Sequence, residues 1–218
     1  MLSEVIHKCL DLLFPRFCLG CGAENDYLCP KCVTKINPCR APLKTKYCEI
    51  ILSASHYKNP LTQKIIRRFK YQNCQNLRFA VSDIILRNIN YFNTKKEKRH
   101  ILIPIPISKK KRRKRGFNQS EILAEALSQK TEIPVQKNIL LKKFHTLSQV
   151  ETKSRLERIK NMKNSFYVSR EDGLSVYHNH IVILIDDIIT TGATINEAAR
   201  VLKKAGFKNV MAVTAARG

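Results

Sequence analysis

Ile181-Val182-Ile183-Leu184-Ile185-Asp186-Asp187-Ile188-Ile189-Thr190-Thr191-Gly192-Ala193-Thr194 is the stretch on which the fold of this chain turns. Its first five residues are apolar and four of them are β-branched, the composition of a parallel strand buried on both faces. Two carboxylates arrive together at the end of this run, where open α/β sheets collect their ligands. Gly192 permits positive φ or a close backbone approach to an anion. Thr194 is placed to cap a helix reading from Ile195 to Ala205, whose first N–H groups and positive dipole end would face an oxyanion such as phosphate. One stretch thus joins acceptors for hydroxyl groups, Asp186 and Asp187, to a phosphate-cradling turn, Thr190 to Thr194.

A second strand of the same kind, Ile101-Leu102-Ile103-Pro104-Ile105-Pro106, is stopped by prolines and followed by seven cations in succession, Lys109 to Arg115. Like charges repel and the run has no apolar face, which predicts a mobile loop unless an anion orders it. Gly116-Phe117-Asn118-Gln119-Ser120 comes next, with Asn118 or Ser120 positioned to cap a helix from Glu121 to Gln129. If the two strands lie in one parallel sheet, the basic loop and the Asp pair flank a single crevice. A phosphorylated sugar would fit between them, its phosphate on the Thr/Gly turn.

The remaining elements suit the same α/β order. Ile50 to Tyr57 reads as a strand and Asn59-Pro60 as a turn. A helix follows with Leu61, Ile65, Ile66 and Phe69 on one face and Lys64, Arg67, Arg68 and Lys70 beside or opposite it. A second apolar helix runs from Leu77 to Phe92, a basic helix covers Ser154 to Asn161, and a last strand spans Asn209 to Ala216 after Gly206. Neither a Walker A motif nor a GxGxxG fingerprint is present, so NTPase and dinucleotide-binding roles lack support.

Forty Lys+Arg stand against seventeen Asp+Glu in 218 residues, a formal net charge of +23. Polyanions will be drawn to such a surface, nucleic acid first and an anionic membrane second. The longest apolar run is far short of the roughly 20 residues a transmembrane segment needs. Met1 to Phe14 reads as an amphipathic helix rather than a secretory signal, because Glu4, His7, Lys8 and Asp11 interrupt its apolar residues. That places the chain in the cytoplasm, where thiols stay reduced. There, Cys18-x-x-Cys21 and Cys29-x-x-Cys32 have the spacing of four thiolates around one structural Zn²⁺, with a disulfide framework and a redox pair as competing readings. Cys39 and Cys48 are extra, and lone cysteines are more often small buried hydrophobes.

The 181–194 stretch resembles the phosphoribosyl-pyrophosphate (PRPP) loop of type I phosphoribosyltransferases along its whole length, and PRPP suits the acidic pair, basic run and Thr/Gly turn. With the paired cysteines, Ile103-Pro104-Ile105-Pro106, Arg115-Gly116-Phe117-Asn118-Gln119 and the segment 149–166 holding Arg155, Arg158 and Asn161, all in this order, the chain resembles the ComF family of competence proteins. The resemblance implies an α/β fold: a type I phosphoribosyltransferase-like parallel sheet flanked by helices, spanning 49–218, with an amphipathic helix and a small four-cysteine zinc module over 1–48. It departs from the family in offering only Cys39 and Cys48 where a further CxxC pair often stands.

The resemblance further implies PRPP bound with Mg²⁺, its ribose hydroxyls on Asp186 and Asp187, its 5′-phosphate on Thr190, Thr191, Gly192, Ala193 and Thr194, and its pyrophosphate near Lys109, Arg112 and Arg115. It points to a DNA-handling role in natural transformation, with single-stranded DNA and the DNA-uptake machinery at the inner face of the membrane as partners. Lys64, Arg67, Arg68, Lys70, Lys110, Lys111, Arg113, Lys114, Arg155 and Arg158 would then track a DNA backbone, with Tyr57, Tyr71 and Phe117 either stacking platforms or, as is commoner for aromatics among charges, core residues. The alternative is an active phosphoribosyltransferase with an unknown acceptor, for which no residue identifies itself as a base.

Overall fold

The computed structural model describes residues 16–24, 26–71, 76–93, 99–143, 164–169 and 173–218. The expected N-terminal helix, Cys9, Cys74, and the basic helix with Arg155, Arg158 and Asn161 lie outside these residues.

Four strands form one all-parallel sheet in the order β1 (Ile51–Ser53), β6 (Asn209–Arg217), β5 (Ile181–Ile189), β2 (His100–Pro104). Alternate residues of each strand enter different cores, as the two-residue period of a strand requires. Leu102, Ile183, Ile185, Met211 and Val213 pack with helices α2 (Pro60–Tyr71), α3 (Leu77–Asn88) and α5 (Gln119–Thr131), α1 being the short Pro30–Val33 turn of helix. Ile101, Ile103, Val182, Leu184, Val210 and Ala212 pack on the other face with helix α6 (Ala193–Lys204) and a two-stranded antiparallel ribbon, β3 (Leu140–Lys142) and β4 (Phe166–Val168). A sheet covered on both faces explains why its central strands read as continuous apolar runs.

The cysteine-rich segment does not stand apart. Leu19, Leu28 and Ile36 are buried in the same core as α2 and α3. Lys64 Nζ donates to the Leu19 carbonyl at 3.0 Å, and Asn88 Nδ2 donates to the Ile36 carbonyl at 3.2 Å and to the Ala54 carbonyl at 2.8 Å. Leu43 and Ile51 exchange backbone hydrogen bonds at 2.9 and 2.8 Å across the residue 48–49 junction.

Several expectations are corrected. The seven-cation run is not a loop but helix α4 (Lys109–Arg115). Ser108 caps it by accepting from Lys111 N, and Gly116 closes it at φ 82° with its N–H on the Arg112 carbonyl. Lysine and arginine are good helix formers, and cations in the last turn oppose the helix dipole. With Arg112 facing Glu121 at 3.7 Å and Arg115 Nη1 donating to Gln119 Oε1 at 2.8 Å, local pairing outweighs like-charge repulsion. The strand expected over 50–57 shortens to β1. The helix from Leu77 stops at Asn88, with a 3₁₀ turn over Asn90–Asn93. β5 continues through the two aspartates to Ile189, and α6 begins at Ala193 with Gly192 as N-cap, so Thr194 lies inside the helix rather than capping it. Asn118, not Ser120, is the N-cap of α5, which starts at Gln119.

Candidate functional site

The parallel register sets Pro104 beside Ile185, and Ile105 N donates to the Ile185 carbonyl at 3.0 Å, so β2 ends beside β5 one residue short of the aspartates, while β5 runs on to Ile189. The Asp pair on β5 and the approach to α4 after β2 are therefore neighbours. Asn118 fixes the second approach. Its Nδ2 donates to the Ile105 carbonyl at 3.2 Å while its Oδ1 accepts from Ser120 N at 3.2 Å. Ser120, at the head of α5, donates its hydroxyl to Asp186 Oδ1 at 3.0 Å. The Asp187 backbone N–H donates to the same oxygen at 2.9 Å. Asp187 is buried and holds Lys70 Nζ of α2 at 2.9 Å.

The charges at this crevice are strongly coupled. Burial and the neighbouring Asp187 carboxylate push Asp186 up to about 7, against the pull of Lys70, the Asp187 N–H and the Ser120 hydroxyl. Lys142, half-buried on β3 with Nζ 5.0 Å from the Phe166 ring centre, is brought down to about 8 by burial and by Lys111, with Asp186 opposing. Lys142 thus feels the charge of both Lys111 on α4 and Asp186 on β5.

A pH effect follows. A carboxyl whose pKa is higher in the folded chain than in the unfolded one stabilises the fold while protonated, fully below about pH 4, and loses that contribution as pH rises through about 7. Asp186→Asn stays neutral at every pH. The variant is expected to match the wild type near pH 4 and to exceed it by on the order of a few kcal/mol at pH 8, read from denaturant midpoints at both pH values. A gap independent of pH would contradict the burial of this charge.

The turn after β5 is built tightly. Gly192 has φ 74°, and a Cβ there would lie 3.1 Å from Thr45 Cγ2, so both conformation and space favour glycine. Thr191 Oγ1 accepts from Ala193 N at 3.3 Å, and the twelve-residue α6 points its positive end at the turn. Thr190 is exposed, while Thr191, Ala193 and Thr194 are half-buried around the buried Gly192.

The cations sort by position. Lys109, Lys110, Lys111, Arg112, Arg113 and Lys114 are exposed on α4, and Arg115 is half-buried against Gln119. Arg67 and Arg68 face solvent on α2. Lys64 is engaged by the cysteine segment, and Lys70 turns into the acidic pair instead of the outer surface, because residue 70 sits beside buried Phe69 at the end of α2. Among the aromatic residues expected to stack bases, Phe117 is buried 6.4 Å from the Phe69 ring, which removes it from any platform. Tyr57 is half-buried, and the Tyr71 side chain is outside what the structure describes. Phe17, Phe79 and Tyr167 are the exposed aromatics among the described residues.

Sequence reasoning passes over three groups at the crevice. It reads Ser120 only as a cap, Lys70 only as a surface cation, and Lys142 not at all. The first of two lysines, Lys142 and Lys143, closing the apolar run Ile139 to Leu141 is the available signal for the last.

At the other end of the chain, the Sγ atoms of Cys18, Cys21, Cys29 and Cys32 lie within 4.8 Å of one another. Four sulfurs around a tetrahedral metal at about 2.3 Å stand about 3.8 Å apart, so the group fits such an ion. A Cβ on Gly20 would lie 2.6 Å from Cys32 Sγ, which is why the first CxxC turn needs glycine. Burial disfavours the Cys18 thiolate, yet backbone N–H groups of Cys29, Cys21 and Gly20 and the Cys29 thiol outweigh it and bring Cys18 to about 6. Burial, followed by the thiols of Cys21, Cys29 and Cys18, pushes Cys32 to about 12. Opposite shifts on two sulfurs of one close cluster are the strain that a divalent cation relieves by taking the sulfurs as ligands. Cys48 is fully buried, donates to the Ile50 carbonyl at 3.5 Å and is no member of this group; Cys39 is not one either.

Residues 113–218 match the model of the phosphoribosyl transferase domain. Together with the parallel sheet, its flanking helices and the four-cysteine group, this defines the class: a type I phosphoribosyltransferase-like fold with an N-terminal cysteine module. The chain is 31% identical over 204 residues to competence protein F of Haemophilus influenzae, covering 90% of this chain and 82% of that protein. It is 31% identical over 224 residues to competence protein ComFC of Bacillus subtilis, covering 94% and 85%. The DNA utilization protein YhgH of Escherichia coli K12 is 27% identical over 196 residues, covering 87% and 83%. The chain belongs to the family of competence protein F and ComFC. Among solved structures, glutamine PRPP amidotransferase from B. subtilis superposes with a TM-score of 0.43 at 15% identity over 68% of this chain, which spans 30% of that enzyme.

Proposed function

We propose that this protein handles single-stranded DNA entering the cytoplasm during natural transformation, on a fold that retains a PRPP site. The observation that carries the reading is the pairing of β2 with β5. β2 ends beside Ile185, one residue before the acidic pair, and leads after a short connection into the seven-cation helix α4, while β5 leads into the glycine turn. Relatives over most of the chain are named for competence and DNA utilization, which supports the cellular setting.

In this reading Asp186 and Asp187 accept the ribose hydroxyls, and Thr190 to Thr194 with the first N–H groups of α6 hold the 5′-phosphate. The diphosphate, carrying Mg²⁺ on its own oxygens, faces Lys109, Arg112 and Arg115. Cys18, Cys21, Cys29 and Cys32 hold one structural Zn²⁺, so that residues 1–48 form the zinc module and 49–218 the phosphoribosyltransferase-like domain. The outward cations Arg67, Arg68, Lys110, Lys111, Arg113 and Lys114 track a DNA backbone, joined by Arg155 and Arg158 and by Lys64 where it reaches solvent. Exposed Phe17, Phe79 and Tyr167 offer faces for bases. No helix among the described residues is long and apolar enough to cross a membrane. In this reading the uptake machinery is met at the inner face of the membrane.

A second reading, transfer of ribose 5-phosphate from PRPP to an acceptor, is favoured by the opposition of charges. Carboxylates lie on the sugar side, where positive charge builds as pyrophosphate departs, and cations lie on the leaving-group side.

The DNA claim is tested by titrating a labelled single-stranded oligonucleotide at increasing salt. With six phosphates contacted, affinity is expected to fall about 300-fold across a fourfold rise in salt. A flat salt response would sink it.

A further inference from the structure

The ion pair between Lys70 and Asp187 sits where the proposed ligand must bind. A ribose needs the Asp187 oxygens as acceptors, and Lys70 Nζ already holds one of them at 2.9 Å. Both side chains are largely shielded, at 16% and 8% exposure, so separating them without a new partner leaves an ammonium and a carboxylate unpaired in a partly dry crevice. A ligand offering hydroxyls alone satisfies Asp187 and strands Lys70. A ligand that also carries a diphosphate offers Lys70 a second anion, and a flexible four-carbon stem lets the ammonium swing to meet it. The neighbouring groups favour that exchange. Asp186 accepts the Ser120 hydroxyl and the Asp187 N–H on its Oδ1 and acts on Lys70 as a nearby charge, while Asp187 is the ion-pair partner. Lys142 and Lys111 already place positive charge on the α4 side of the crevice, where an incoming diphosphate would be drawn.

We infer that Lys70 is the internal counter-ion of this site, transferred from Asp187 to the diphosphate when the ligand enters, and that this exchange makes the crevice select diphosphate-bearing sugars over ribose 5-phosphate. The inference rests on the PRPP reading and deepens it. No bond is made or broken in the exchange; one ion pair replaces another.

Calorimetric titration of the full chain with PRPP and with ribose 5-phosphate, each with Mg²⁺, separates the outcomes. In Lys70→Gln, which keeps a hydrogen-bond donor for Asp187 but removes the charge, PRPP affinity is expected to drop on the order of 10- to 100-fold, the worth of a charged hydrogen bond. Ribose 5-phosphate affinity should stay within about threefold or rise, and Lys70→Arg should restore most of the PRPP affinity. Equal losses for both ligands in Lys70→Gln would make Lys70 a structural prop and overturn the exchange while leaving the PRPP site standing. If neither ligand binds the wild type, the site reading itself falls and the exchange falls with it.

Discussion

Stripping the metal from the four-cysteine group is expected to lower the melting temperature by more than about 10 °C, or to prevent folding. A structural Zn²⁺ in a small module contributes on the order of 10 kcal/mol, comparable to the whole net stability of a typical domain. For a chain of this size each kcal/mol moves the midpoint by about 2 to 4 °C. The loss cannot stay local here, because Leu19, Leu28 and Ile36 are buried in the core that also holds α2, α3 and one face of the sheet. Cys32→Ser should reproduce the effect of a chelator, since Cys32 is 1% exposed and close to the other three sulfurs. Cys48→Ser, which alters a buried thiol outside the group, should retain the metal. Scanning calorimetry with and without chelator, beside elemental analysis, reads both. Less than half an equivalent of zinc, with a midpoint moving under about 2 °C, would refute the metal centre.

What can be read from the residues alone, and what cannot, follows a physical line. The 181–189 strand is legible because burial on both faces leaves an uninterrupted β-branched run, and two carboxylates at its end have few structural uses. The four-cysteine group is legible because spacing alone brings each CxxC pair into a turn. Helix α4 escapes for a reason of energy. Repulsion along seven cations is plain in the sequence, whereas the Ser108 cap, the Gly116 closure and the carboxylate of Glu121 act together only once the following helix is in place. Lys70 is misassigned because helical periodicity places it beside the apolar face of α2 without saying what packs there. Only the fold brings it to Asp187, 117 positions further along the chain (187 − 70). Phe117 stays open between core and platform on the same ground, since an aromatic residue in a basic stretch shows no partner until Phe69 is found against it.

The second large effect concerns the acidic pair. Saturating PRPP with Mg²⁺ is expected to raise the melting temperature of the wild type, by linkage of a ligand to the folded state. A concentration one hundredfold above Kd gives about 2.7 kcal/mol, or roughly 5 to 10 °C for a chain of this size. Replacing Asp186 and Asp187 by Ala should abolish the shift, because the acceptors for the ribose hydroxyls vanish and Lys70 is left without its partner. Since that vacancy alone can unsettle the fold, the Asp186→Asn, Asp187→Asn pair serves beside it. It keeps the shape and the Ser120 contact while losing the charge that orients Lys70 and the sugar.

Whether Asp186, Asp187 and the Thr190 to Thr194 turn form a PRPP site is settled most directly by calorimetric titration of the metal-loaded wild type and the double Asn variant with PRPP and Mg²⁺. Saturable binding by the wild type, weakened on the order of 100-fold or more in the variant, is the expected result, two charged contacts at about 1.5 kcal/mol or more each being lost. Absence of binding by the folded wild type, or equal affinity in both proteins, would contradict it.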